Sequence, residues 1–259
     1  MIDFHVHHPS AHGVWGGAPY LPEEYLSFMD ELAVTASVVF TTDGLFVWDK
    51  STNDETAAFC ARDPARLIAF GTVNPRRPGA VEEVKRCLSG LGMSGLKFHP
   101  WLQGFCPHEE FMDSICEAAA EAGVPILFHD GTPPYSAPLQ IAALARRHPD
   151  GVFVLGHAGL HDLWREAIAA TTSLDNIYAC ISGPPTYAIR QIVQRCPAER
   201  VLFGTDAGLG RTVDQKYVRS RVHEIMTILT PGERVAILDE NPRRLLRLPP
   251  STPRGSAAT

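Results

Sequence analysis

The stretch MIDFHVH, residues 1–7, decides the fold: two histidines end its apolar run, and three distant runs end the same way. PILFHDG stops at His129, FVLGHAG at His157 and VLFGTDA at Asp206, with Gly or Ala within two residues in each case. Strand ends this far apart in sequence meet only if the strands lie side by side and parallel. A metal at the C-terminal mouth of a parallel barrel meets that condition.

Seven more β-branched or aromatic runs, near 34–40, 67–73, 94–98, 124–129, 152–156, 176–181 and 200–205, join 2–7 as candidate strands. Between them lie amphipathic segments such as LPEEYLSFMDEL and PTYAIRQIVQRC, with apolar residues three and four apart. Gly90 and Gly123 are placed to cap two of these helices. Eight βα units imply a parallel sheet with right-handed crossovers. No GxGxxG follows the first strand, which argues against a dinucleotide-binding sheet. Strands one and eight must adjoin if His5, His7 and Asp206 share an ion. The expected fold is therefore α/β, a single (β/α)8 TIM barrel over 1–248, with a short helical C-terminal extension and a disordered tail at 249–259.

With 259 residues, 45% hydrophobic and 20% charged, the chain has enough apolar material for one such core. A net charge of −6 leaves no basic footprint for nucleic acid or an anionic membrane. Six cysteines without a CxxC pair read as reduced thiols, and no apolar run reaches the roughly 20 residues of a membrane span. The expectation is a cytoplasmic enzyme acting on a small molecule, with homo-oligomer formation left open.

His5 and His7 are two apart on a strand, so their rings share one face; strict alternation puts Asp3 there too, with Ile2, Phe4 and Val6 opposite. The motif alone is weak, since eleven histidines give roughly half an HxH by chance in this length. Its position at a strand end, matched by His129, His157 and Asp206, makes it informative. Asp206 and Asp130 also fit ordinary turn or cap roles. Lys97 and His99 share one parity in GLKFHP; among four lysines against nineteen arginines, an inward lysine is a poor surface filler. Trp15, Phe46, Trp48, Trp101, Tyr135 and Tyr187 fall in loops after strands and suggest an aromatic rim. Arg76, Arg77 and Arg211 are candidate carboxylate clamps. The other histidines, His8, His12, His108, His148, His161 and His223, read as solvated.

As an ordered set, DFHVH, the later strand-end residues, FGTDAG and NPRRLL resemble the amidohydrolase superfamily over nearly the whole chain. The likeness is to the amidohydrolase-related branch, which includes aminocarboxymuconate-semialdehyde decarboxylase and several hydrolases. That resemblance implies His5, His7, His129 and Asp206 as ligands of one divalent metal, with His157 catalytic beside it. In two-metal members a carboxylated lysine on strand four bridges the ions, and Lys97 stands at that place. Zn²⁺ suits three imidazoles and a carboxylate, with Mn²⁺, Fe²⁺ and Co²⁺ as alternatives. The first functional expectation is hydrolysis of a small carboxylated or cyclic ester, lactone or amide by a metal-activated water. Asp206 would accept the water's proton, and Lys97, His99, Trp101, Tyr135, Arg76 and Arg211 would contact substrate. The alternative is non-oxidative decarboxylation of an aromatic or unsaturated acid.

Overall fold

The computed structural model describes residues 1–8, 20–46, 49–211 and 214–250. All eight expected strands form: β1 Ile2–His8, β2 Ala36–Thr41, β3 Leu67–Phe70, β4 Leu96–Phe98, β5 Pro125–Phe128, β6 Val152–Leu155, β7 Ile177–Cys180 and β8 Val201–Leu202. Every neighbouring pair is parallel, in the orders β1-β2-β3 and β4-β5-β6-β7-β8. Backbone hydrogen bonds join the two arcs. Gly71 N donates to Gly95 O and Lys97 N to Gly71 O between β3 and β4; Phe4 N donates to Phe203 O and His7 N to Ala207 O between β8 and β1. The barrel is closed, and the chain's first and last strands are neighbours.

Helices alternate with the strands: α1 Pro22–Glu31, α2 Ser51–Cys60, α3 Ala80–Lys85, the short α4 Pro100–Gln103, α5 Asp113–Ala122, α6 Pro138–Arg147, α7 Trp164–Ser173 and α8 Thr186–Arg195. Arg219–Ile228 is the helix after β8, followed by Pro231–Val235 and Asn241–Leu245. Gly123 caps α5 in the left-handed region as expected (φ 64). After α3 the chain continues as a π-turn over Arg86–Gly90, so positive φ falls on Gly92 rather than Gly90. The helix α4 was not anticipated. It starts where Pro100 needs no N–H partner and the His99 ring accepts from Leu102 N.

One departure from strict alternation shapes the site. The register between β1 and β2 slips between Asp3 and Val6: two residues of β1, Phe4 and His5, face one of β2. This β-bulge adds a residue and resets the parity. Ile2 and Phe4 consequently pack in the barrel interior with Val38, Phe40 and Phe70, while Val6 faces the helices. Phe4 meets Phe70 edge to face at 5.9 Å. Asp3 is buried apart from the metal-facing rings. It accepts from the bulged His5 N at 3.1 Å and, from the segment after β8, Thr205 N at 3.0 Å and Thr205 Oγ1 at 2.5 Å. The N–H that the bulge removes from the ladder thus finds its acceptor in Asp3.

The opposite end of the cylinder is plugged from the C-terminus. Leu245, Leu246 and Leu248 pack against the interior cluster, and Asn241 Nδ2 donates to Ala198 O and Val201 O at 2.7 and 2.9 Å. The tail from 251 onward lies outside the described residues. Among the described residues no helix is long and apolar enough to cross a membrane.

Candidate metal centre

His5, His7 and Asp206 each present one donor atom, all within 4.8 Å of one another. Asp206 Oδ1 stands 3.3 Å from His5 Nε2 and 3.1 Å from His7 Nε2, yet this buried oxygen accepts no hydrogen bond. Donors holding one zinc-sized ion at about 2.0–2.2 Å stand roughly 3–4 Å apart, the separation of Asp206 Oδ1 from each ring nitrogen. A buried lone pair without a proton is costly unless a cation completes it. The residues present fit a divalent ion.

Surrounding bonds set the ring protons. A carbonyl oxygen only accepts, so His5 Nδ1, 3.1 Å from Gly156 O, carries the proton and leaves Nε2 free to ligate. Burial, with Lys97 and His157 nearby, holds His5 well below the usual imidazole value; burial also lowers His7, against the pull of Asp206. For Asp206, burial alone would raise the carboxyl, but His157, His7 and His5 hold it well below its ordinary value. Neutral rings and a carboxylate are the ligating forms.

Backbone strain collects at these positions. Asp206 is a non-glycine residue at φ 62, and Gly208 at φ 93 lies so close to β1 that a Cβ there would stand 1.7 Å from His7 O. Left-handed φ costs roughly 1–2 kcal/mol for an L-residue. Here it turns the chain at Asp206, past the end of β8 at Leu202, which is earlier than the expected 205.

His157 sits beside the donor set, its ring centroid 4.5 Å from that of His5. Its Nδ1 lies 2.9 Å from Ser182 Oγ, which itself donates to Gly156 O at 2.7 Å. Having spent its only proton, Ser182 accepts from His157 Nδ1–H. The free lone pair of His157 is therefore on Nε2. One carbonyl, Gly156 O, sets both rings: His5 directly and His157 through Ser182. Burial pushes His157 down to about 4.

Asp130 supports the same loop. Its Oδ1 and Oδ2 accept from His157 N and Gly159 N, each at 2.6 Å, across three successive positive-φ residues, Ala158, Gly159 and Leu160. Burial raises its carboxyl to about 7, against the pull of those two N–H groups. Sequence reasoning took Asp130 for a turn former and passed over Ser182. The available signal for Ser182 was its place at the rim end of β7, before Gly183-Pro184-Pro185.

His129, expected as the fourth ligand, stands one ring further out. Its Nε2 is 2.8 Å from Thr132 Oγ1, and its ring stacks on His99 at 3.6 Å, because the loop after β5 brings that hydroxyl within reach. Lys97 is fully buried, with Nζ 3.2 Å from His5 Nε2 and 4.6 Å above the Phe40 ring; burial lowers it to about 7. His99 lines the same wall, and Trp101, 52% exposed, lies 6.3 Å from it. Phe46, Tyr135 and Tyr187 are exposed; Trp15 and Trp48 lie outside the described residues. The expected clamps are engaged elsewhere: Arg76 pairs with Glu109 at 3.1 Å and Arg211 with Glu24 at 2.7 Å. Two histidines read as solvated are not. His8 is buried against Phe59, ring centroids 4.3 Å apart, and His148 bonds Asp113 at 2.7 Å. His12 lies outside the described residues.

The amidohydrolase family model Amidohydro_2 matches residues 2–248. Among solved structures the chain is similar to 2,6-dihydroxybenzoate decarboxylase from Rhizobium, at 18% identity and TM-score 0.74 over 95% of this chain and 98% of that one. It is similar to 5-carboxyvanillate decarboxylase from Novosphingobium aromaticivorans, solved with bound manganese and a nitrobenzoic acid, at 17% identity and TM-score 0.74 over 95% and 97%. It is also similar to 4-oxalomesaconate hydratase from Rhodopseudomonas palustris, at 20% identity and TM-score 0.71 over 95% of each chain. At these identities the likeness establishes the barrel fold.

Proposed function

From the premise that this chain belongs to the Amidohydro_2 family of amidohydrolases, we propose that it is a metal-dependent, non-oxidative decarboxylase of an aromatic or unsaturated carboxylic acid. The observation that carries the reading is His157: one ring nitrogen is locked by Ser182, and the other is left free to exchange a proton beside the donor set. The decarboxylases among the solved structures support it better than the hydrolysis first expected. The six thiols are unpaired, which supports a reducing, cytoplasmic setting.

His5, His7 and Asp206 would hold the metal, with His129 a further ligand candidate on the neighbouring wall. A bound divalent ion, Mn²⁺ as in the 5-carboxyvanillate decarboxylase structure or Zn²⁺, supplies Lewis-acid stabilisation of charge developing on substrate oxygens. His157 is neutral near pH 7 and starts as a base. Its Nε2 takes the proton of a ring hydroxyl and makes the ring electron-rich. The same proton passes from Nε2 to the carbon that bears the carboxylate. The C–C bond then breaks, its electron pair restores the ring, and CO₂ leaves; water returns the hydroxyl proton to the product. Asp130 and Ser182 keep Nε2 facing the substrate. Trp101 and the His99–His129 stack offer flat surfaces to the ring.

Manganese-loaded protein incubated with carboxyl-¹³C hydroxybenzoates tests the reading. Release of ¹³CO₂ from at least one acid is expected. Hydrolysis of lactones or esters with ¹⁸O uptake from water, and no ¹³CO₂ from any acid, would return the site to hydrolysis.

A further inference from the structure

His99 follows β4 with both its backbone and its ring fixed. Its N–H donates to Gln103 Oε1 at 2.8 Å, and Gln103 Nε2 donates to Val73 O at 2.8 Å, which ties the turn after β4 to the loop after β3. The ring's Nδ1 lies 3.4 Å from Leu102 N. A backbone N–H can only donate, so Nδ1 holds a lone pair and the proton of the neutral ring is on Nε2. Burial, with Lys97, His157 and His7 nearby, pushes the ring down to about 2, so it stays neutral near pH 7. That proton has no protein acceptor, for no hydrogen bond from Nε2 reaches another described residue. The residue is only 8% exposed, yet Nε2, unlike His8 Nδ1, is not sealed from the surface. A nearly buried N–H without an acceptor costs stability until one arrives.

His99 belongs to the wall of the metal centre. Its ring stacks on His129 at 3.6 Å, His129 stands 4.5 Å from His157, and His157 stands 4.5 Å from His5. Two ring contacts thus separate His99 from the histidine that exchanges the proton, a span one hydroxybenzoate bridges. We propose that His99 binds the substrate, donating Nε2–H to the carboxylate that leaves as CO₂. The proposal deepens the decarboxylase reading and rests on it. A cation gripping that carboxylate would favour the bound acid over the transition state, because the group departs uncharged. A neutral donor orients it at less of that cost. The arginines expected as clamps are held elsewhere, by Glu109 and Glu24.

Calorimetric titration of zinc-loaded protein with 2-hydroxybenzoate tests it. His99→Phe keeps a flat ring on His129 and removes the donor. Affinity should fall at least about tenfold, the scale of one hydrogen bond to a charged group, with metal content unchanged. His99→Gln can donate again and should return to within about threefold of the wild type. If either variant fails to fold, ¹⁵N NMR of the wild-type histidine rings at pH 7 reads the proton directly. His99 should carry it on Nε2 and not on Nδ1, and the Nε2–H signal should move downfield when 2-hydroxybenzoate is added. Wild-type affinity in His99→Phe, no recovery in His99→Gln, no binding by the wild type, or a proton on Nδ1 would overturn the role. Binding is read without turnover, so the two readings fail separately. Binding that needs the His99 donor, with no ¹³CO₂ from any acid, removes the decarboxylase and keeps the donor; ¹³CO₂ released with equal KM by wild type and His99→Phe does the reverse.

Discussion

At the scale of single residues, the centre divides into groups that hold charge and one that moves protons. His157 contacts no donor atom of the His5–His7–Asp206 set within hydrogen-bonding distance, and its outward bond goes to Ser182. His157→Ala should therefore retain the metal while kcat falls by about 10²–10⁴, the usual worth of a general acid–base group. Metal analysis and turnover measured on the same sample check this; an emptied site would make His157 a ligand. Ser182→Ala frees the ring to choose its tautomer. A fall of about 10–100-fold in kcat at unchanged KM is expected, as for other groups that orient an imidazole.

At the scale of elements, the eight strands and most helices were legible because their apolar periodicities are strong and their ends carry Gly or Pro. The bulge in β1 was not. Register depends on the partner strand, and nothing within IDFHVHH says that Phe4 and His5 will share one opposite residue. The same holds for His129, whose ring is oriented by Thr132 and His99 rather than by its own strand. Asp130 looked like a turn former because its role is to accept from a loop 27 residues away. The three gathered donors were legible, since each stands within or just past an apolar run of the sequence. The loop after β8 yields a direct test: Gly208→Ala combines φ 93 with a 1.7 Å approach to His7 O. It should displace β1 or unfold the protein, with a loss of at least about 2–3 kcal/mol by denaturant titration. Between α2 and α3, Glu83 accepts from Asn53 and Arg86 at 2.9 and 2.8 Å. Burial would raise its carboxyl, but those bonds hold it below 4.5. The stabilisation is therefore present above the unfolded value and lost as pH falls through the folded one. Unfolding curves of Glu83→Gln should differ most from the wild type at pH 7, with the gap closing below pH 4.5.

At the scale of the whole molecule, the closed cylinder makes function depend on joining the chain's two ends. β1 supplies two donors and the segment after β8 the third, and Asp3 and Thr205 clamp that seam beneath them. The C-terminal helix Asn241–Leu245 closes the far end. Asn241→Ala would leave the buried Val201 carbonyl without this donor and remove the bond to the exposed Ala198 carbonyl, for about 1–3 kcal/mol by thermal or denaturant unfolding. Protein purified without added metal, then titrated with Mn²⁺ or Zn²⁺ and assayed for bound ion beside Asp206→Ala, tests the joined centre most directly. One tightly held equivalent in the wild type, lost in the variant while the fold persists by circular dichroism, is the expected result. An ion that binds equally well without Asp206, or none in the wild type, would contradict a metal centre built from His5, His7 and Asp206.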